Sequence, residues 1–138
     1  MNTKSTLLFV AALLATAASA QENGSAPDTR LARGRYIVEK VGLCADCHSP
    51  RNERGEFVMA RWLQGAPLAF APTVPMPAWA AAAPAIAGLP SMSEAQAAEF
   101  LQHGTRPDGS QPRPPMPEFR LSADDAAAVA AYLKSLAR

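Results

Sequence analysis

The sequence lacks most of the features that would assign it by composition. Two cysteines in 138 residues are too few for a disulfide scaffold. Thirteen Lys and Arg stand against twelve Asp and Glu, a net charge of +1, so there is no basic stripe to neutralise phosphates and nucleic acid is not expected as a partner. No period-two alternation of useful length and no internal repeat is present. Outside the first twenty residues no apolar run reaches the eighteen or so that a membrane span needs.

Large apolar side chains are scarce as well, although 49% of the chain counts as hydrophobic. Lys4, an apolar stretch from Leu7 to Ala18 and the small residues Ala18-Ser19-Ala20 read as a secretory signal cleaved before Gln21. The remaining 118 residues hold 24 Ala but only 20 Leu, Ile, Val or Phe, about 17%. So low a fraction signals disorder only when net charge is high, and here it is near zero. Something other than aliphatic side chains is expected to complete the core.

Residues 21–29 read as a flexible lead-in, followed by one domain over 30–138. Leu31, Ile37, Val38 and Val41 recur at helical spacing, and Gly42 is expected to end that helix. Residues 49–61 read as a charged surface turn. Pro67, Pro72, Pro75, Pro77, Pro84 and Pro90 exclude a long helix or a central strand from 66–90. Ser93 and Gln96 form a capping box for a second helix that stops at Gly104. A second Pro-rich loop runs from Pro107 to Pro117. The last helix starts at Ser122, with Asp124 and Asp125 in its first turn and Val129, Tyr132, Leu133 and Leu136 as one apolar stripe. The expected class is all-α, with three to four helices and long Pro-rich loops.

Cys44-Ala45-Asp46-Cys47-His48 carries the chemistry. C-x-x-C-H is the haem attachment pattern: two thiols add to two neighbouring vinyl groups, and the adjacent imidazole binds iron. One helical turn gives the cysteines the necessary reach and turns His48 toward the metal as the proximal ligand. A thioredoxin-like redox pair would need a βαβ context that this chain does not offer. A closed zinc site would have to recruit His103, the only other histidine, and strain the adjacent Cys47 and His48. One covalent haem c on Cys44 and Cys47 is therefore the expected cofactor.

A sixth ligand should be a soft or nitrogen donor far away in sequence. Met116, in Arg113-Pro114-Pro115-Met116-Pro117, sits in a loop that proline stiffens without demanding backbone partners. The alternatives are Met76 between Pro75 and Pro77, His103 as a second histidine ligand, and Met116 as mere core filler. Trp62 and Trp79 are candidates for packing on the porphyrin edge or donating to a propionate, or for anchoring loops as ordinary core.

An early C-x-x-C-H, a late Met in a Pro-rich loop and a final amphipathic helix together resemble a class I monohaem cytochrome c over most of residues 31–138. Gly34-Arg35-Tyr36-Ile37 before Cys44, Pro115-Met116-Pro117, and Ala131-Tyr132-Leu133 are similar to cytochrome c domains that serve periplasmic alcohol, aldehyde and related dehydrogenases. The short Ala- and Pro-rich stretch 66–90 departs from the multi-haem dehydrogenase subunits. The resemblance implies a tight crossing of the first and last helices, with Gly34 and Tyr132 as its partners and Tyr36 nearby. It also implies a proline carbonyl on the second ring nitrogen of the proximal histidine, and Pro67 is the expected residue.

By the same resemblance the chain would be a periplasmic one-electron carrier rather than an enzyme. Its iron would cycle between ferric and ferrous with His48 and Met116 retained, taking electrons from a dehydrogenase and passing them to an oxidase or another cytochrome, with no membrane span after signal cleavage. Two other readings stay open: a haem subunit within a dehydrogenase complex, and a haem enzyme or sensor with an open sixth position. Residues 30–61 contain seven basic and four acidic groups, and 94–125 three basic and six acidic. Such polarity would steer a charged partner, the alternative being solvated faces with no directional role.

Overall fold

The computed structural model describes residues 26–137; the expected signal segment, 1–20, lies outside the described residues. In chain order there follow α1 (Ala26–Tyr36), a π-helical turn (Ile37–Val41), α2 (Cys44–His48), a 3-10 turn (Met59–Arg61), β1 (Ala66–Pro67), β2 (Ala82–Ala83), α3 (Glu94–His103) and α4 (Ala123–Ser135). The all-α expectation holds, with four α-helices among the described residues and a single two-residue antiparallel pairing, Ala66 opposite Ala83 and Pro67 opposite Ala82. The first helix begins at Ala26, inside the stretch read as a lead-in.

Three helices build the frame. α1 and α3 both pack on α4, whose buried side is half alanine: Ala126, Ala128 and Ala130 are buried beside Val129, Tyr132 and Leu133. Small side chains let helix backbones approach closely, and the crossing of α1 on α4 uses this fully. A Cβ added at Gly34 would stand 2.0 Å from the Ala128 carbonyl oxygen and 2.9 Å from Tyr132 Cβ. Gly34 and Tyr132 are thus the crossing pair, whereas Tyr36 faces outward, 53% exposed.

Between α1 and α2 the helix widens. Gly42 N–H donates to the carbonyl of Ile37 at 2.7 Å, five residues back, a π-type step of the kind found mostly at functional sites. The extra residue turns Ile37 and Val38 into the core and leaves Val41 exposed; a regular 3.6-residue period would have placed Val41 on the apolar stripe. It also brings Glu39 under α4, where it accepts from Tyr132 Oη at 2.8 Å and from Arg35 Nε at 3.0 Å.

The remaining ends behave as their local chemistry dictates. Ser93 and Gln96 form the reciprocal capping box, and Gly104 closes α3 in the left-handed region with φ 72°. Ser122 accepts from Asp125 N at the start of α4, a cap worth about 1 kcal/mol. The expected charge polarity is largely neutralised by the fold. Arg30 pairs with Glu94 and Arg33 with Asp125 across the helices, while Arg35, Arg51 and Arg54 pair with Glu39, Asp46 and Glu56. Five of the seven basic groups of 30–61 are therefore partnered, two of them with the acidic face they were expected to oppose.

Candidate functional site

Gly42 closes the π-turn, and Leu43, held in the left-handed region with φ 49°, makes the sharp reversal that starts α2 at Cys44. One turn then carries both thiols and the imidazole. Cys44 and Cys47, three residues apart, share a face of the helix, and they are not joined in a disulfide. Burial pushes the Cys44 thiol up to about 11. Burial, with the Asp46 carboxylate adding, raises Cys47 as well. A redox-active pair has the opposite shift, toward thiolate at neutral pH.

His48 is almost fully buried, and its Nδ1 lies 2.7 Å from the carbonyl oxygen of Pro84. A carbonyl only accepts, so Nδ1 carries the hydrogen and Nε2 is left with a free lone pair. Burial holds the imidazole below its ordinary pKa, and the Pro84 carbonyl works in the other direction. A neutral imidazole with one nitrogen pinned and the other available is the form in which histidine binds metals.

The carbonyl comes from Pro84, not from Pro67 as the sequence suggested. Pro67 is exposed in β1, and the pairing of β1 with β2 explains the exchange. His48 O accepts from Gly65 N at 2.8 Å, so β1 starts beside the motif, β2 runs back along it, and Pro84, the next residue, reaches the ring. Gly65 makes room for this: it has φ 84°, and a Cβ there would lie 2.9 Å from Ala83 O and Ala85 N. The neighbouring turn is fastened by Ser49, whose buried Oγ accepts from Leu63 N at 2.8 Å.

Of the other expected residues, Met116 is partly buried against the core together with Cys44, Trp62 and Phe119. Phe119 brings its segment to the motif, since a Cβ at Gly42 would lie 3.3 Å from Cys44 Sγ and 3.6 Å from Phe119 Cε1. Met76 is exposed. His103 does not join the motif: it is exposed at the end of α3, with Nε2 3.5 Å from Glu99. Trp62 sits edge-on to Phe57 at 5.3 Å and packs against the core. Trp79 sits edge-on to Phe70 at 5.9 Å.

Residues 31–137 match the family described as Cytochrome c. The chain belongs to the cytochrome c family. Haem-based electron transfer and covalent haem c come with that membership. Among known proteins, this cytochrome c is 35% identical over 108 residues to a protein of Cereibacter sphaeroides named "Diheme cytochrome c-type", covering 74% of this chain and 34% of the relative. It is 34% identical over 124 residues to the "Gluconate 2-dehydrogenase cytochrome c subunit" of Pantoea cypripedii, covering 79% of this chain and 26% of the relative. The chain thus spans about a third and a quarter of the length of these two proteins.

The residues of this cytochrome c fit the group its family carries. The two thiols share one turn, and His48 presents a bare nitrogen. In addition, Trp79 Nε1 is buried with no hydrogen-bond partner among the described residues. A buried indole N–H without an acceptor is costly, and an acceptor on a bound group, such as a propionate, would satisfy it. Pro84 and Gly65 escaped the sequence reading because a two-residue strand has no periodicity to detect; the succession Gly65-Ala66-Pro67 pointed to the correct turn but to the wrong strand of the pair.

Proposed function

We propose that this cytochrome c is a periplasmic one-electron carrier that holds one haem c through Cys44 and Cys47, with His48 and Met116 as axial ligands. Haem c supplies an iron that takes up and gives back a single electron. The chain does the rest. The His48–Pro84 hydrogen bond carries the proposal most directly, because it sets the tautomer and orientation that a proximal ligand requires. Met116, partly buried beside the core while Met76 is exposed, is the methionine suited to the distal side. Methionine ligation favours the ferrous state and raises the potential relative to two histidines. A single attachment motif, with two cysteines in all, supports one haem in this chain, although one relative is named diheme. The N-terminal signal pattern supports export, and no helix among the described residues is long and apolar enough to cross a membrane.

The electron donor is a dehydrogenase and the acceptor an oxidase or a further cytochrome. The name of the Pantoea relative, a dehydrogenase cytochrome subunit, favours a second form of the same role, in which this chain is the bound haem relay of such a complex. Purification from the periplasm separates the two: a carrier elutes alone and a subunit co-elutes with a dehydrogenase. The axial assignment is tested by optical spectroscopy. The ferric protein should show the weak long-wavelength band of methionine-ligated haem, and the ferrous protein should resist carbon monoxide. Rapid carbon monoxide binding would instead establish an open sixth position.

A further inference from the structure

Proline stiffens the loop around Met116 but deprives it of anchors. Between Gln111 and Pro117, positions 112, 114, 115 and 117 are proline and have no N–H. The Met116 amide is spent inside the loop, on the carbonyl of Arg113 at 3.1 Å. The loop is tied instead by one side chain and one carbonyl. Arg113 donates from Nε to Ala78 O at 3.0 Å and from Nη2 to Trp79 O at 2.8 Å, and Pro114 O accepts from Ala80 N at 2.7 Å. Three successive residues, 78–80, are gripped in this way.

The gripped segment continues into β2 and then into Pro84, the residue that holds His48. Downstream of Met116 a second anchor follows, Leu121 N to Leu101 O at 3.0 Å. Met116 is therefore slung between two ties, and the upstream one depends on a guanidinium whose two nitrogens engage consecutive carbonyls. A planar fork matches that spacing, whereas an ammonium is a single point.

We propose that Arg113 is a positioning residue for the sixth ligand: its two-pronged grip on the 78–79 backbone keeps Met116 in place for the iron. This rests on the Met116 ligation proposed above. The Arg113 guanidinium donates to neither Met116 nor the haem-bearing turn, but to the 78–79 backbone; it acts through the loop. Arg106, just ahead of the same loop, provides the control, because it donates to Ser110 Oγ and the Gln111 carbonyl rather than to 78–80.

The test is a titration of the ferric holoprotein with imidazole, which competes with a protein-borne sixth ligand. Losing two hydrogen bonds from a charged donor should tighten the apparent imidazole affinity of Arg113→Ala about tenfold and weaken the methionine band. Haem content and far-ultraviolet circular dichroism should stay as in the wild type. Arg113→Lys keeps the charge and loses the fork, so it should fall between the two; Arg106→Ala should match the wild type. Where Arg113→Ala fails to accumulate as holoprotein, the lysine variant decides, and wild-type affinity there overturns the proposal. Wild-type imidazole affinity in Arg113→Ala, or an equal shift in Arg106→Ala, overturns it too while leaving the axial assignment intact. A wild-type protein without the methionine band overturns the assignment itself, and the grip's role with it.

Discussion

Gly34 lies so close to Ala128 that any side chain at position 34 would enter the α4 backbone, 2.0 Å from the Ala128 carbonyl oxygen. On propensity alone, Ala in place of Gly inside α1 would gain about 1 kcal/mol. The overlap decides the sign the other way, because it is with backbone and neither helix can yield without losing buried contacts. Gly34→Ala should destabilise the holoprotein by about 2 kcal/mol net, read from urea unfolding followed by circular dichroism. A neutral or stabilising result would show that the two helices are free to separate.

Gly65 holds a second close approach, this one beside the histidine. With φ 84° and a Cβ that would meet Ala83 O and Ala85 N at 2.9 Å, Gly65→Ala should push β2 outward and loosen the Pro84 carbonyl from His48. A weaker hydrogen bond leaves the imidazole a poorer electron donor, which disfavours ferric iron. The reduction potential should therefore rise by some tens of millivolts, accompanied by lower stability. An unchanged or lower potential in spectroelectrochemical titration would separate the Pro84 contact from the tuning of the iron.

The pair between Arg33 and Asp125 predicts a pH dependence whose sign follows from one carboxyl. Hydrogen bonding and attraction from Arg33 hold Asp125 below the usual carboxylate range, with the Ser122 hydroxyl adding. A folded pKa lower than the unfolded one gives stability that is complete above about pH 4 and drains away as pH falls through the folded value. The melting temperature of Asp125→Asn should lie below that of the wild type near neutrality, and the gap should narrow steadily under about pH 4. Because Arg33 is half exposed, the gap should also shrink in high salt. A gap that is independent of pH would show that the effect does not come from the ionised Asp125 carboxylate.

What was legible in the sequence was what local chemistry writes into consecutive residues. The C-x-x-C-H turn, the Ser93–Gln96 capping box, the Gly104 stop and the Val129, Tyr132 and Leu133 stripe each need only a few neighbours to form, and each is found where it was expected. What escaped depends on partners far apart in the chain. Pro84 reaches His48 through a pairing only two residues long, and Arg113 grips carbonyls some 35 positions away. The π-turn inserts one residue into an otherwise regular period and so reverses the side on which Val41 falls. Ion pairs across α1, α3 and α4 likewise removed much of the polarity that a linear count of charges implied.

A chain with so few large aliphatic residues needs another apolar group in its core. Burying about 400 Å² of porphyrin at about 25 cal/mol per Å² would contribute on the order of 10 kcal/mol, as much as the net stability of many domains. The most direct measurement is the intact mass of the protein purified from a host able to attach haem, taken under denaturing conditions. The expected mass is that of the chain from Gln21 plus one haem, with the haem resisting acid-acetone extraction and the increment lost when Cys44 and Cys47 are replaced by alanine. A chain at its bare polypeptide mass, or one carrying an extractable haem, would contradict covalent attachment.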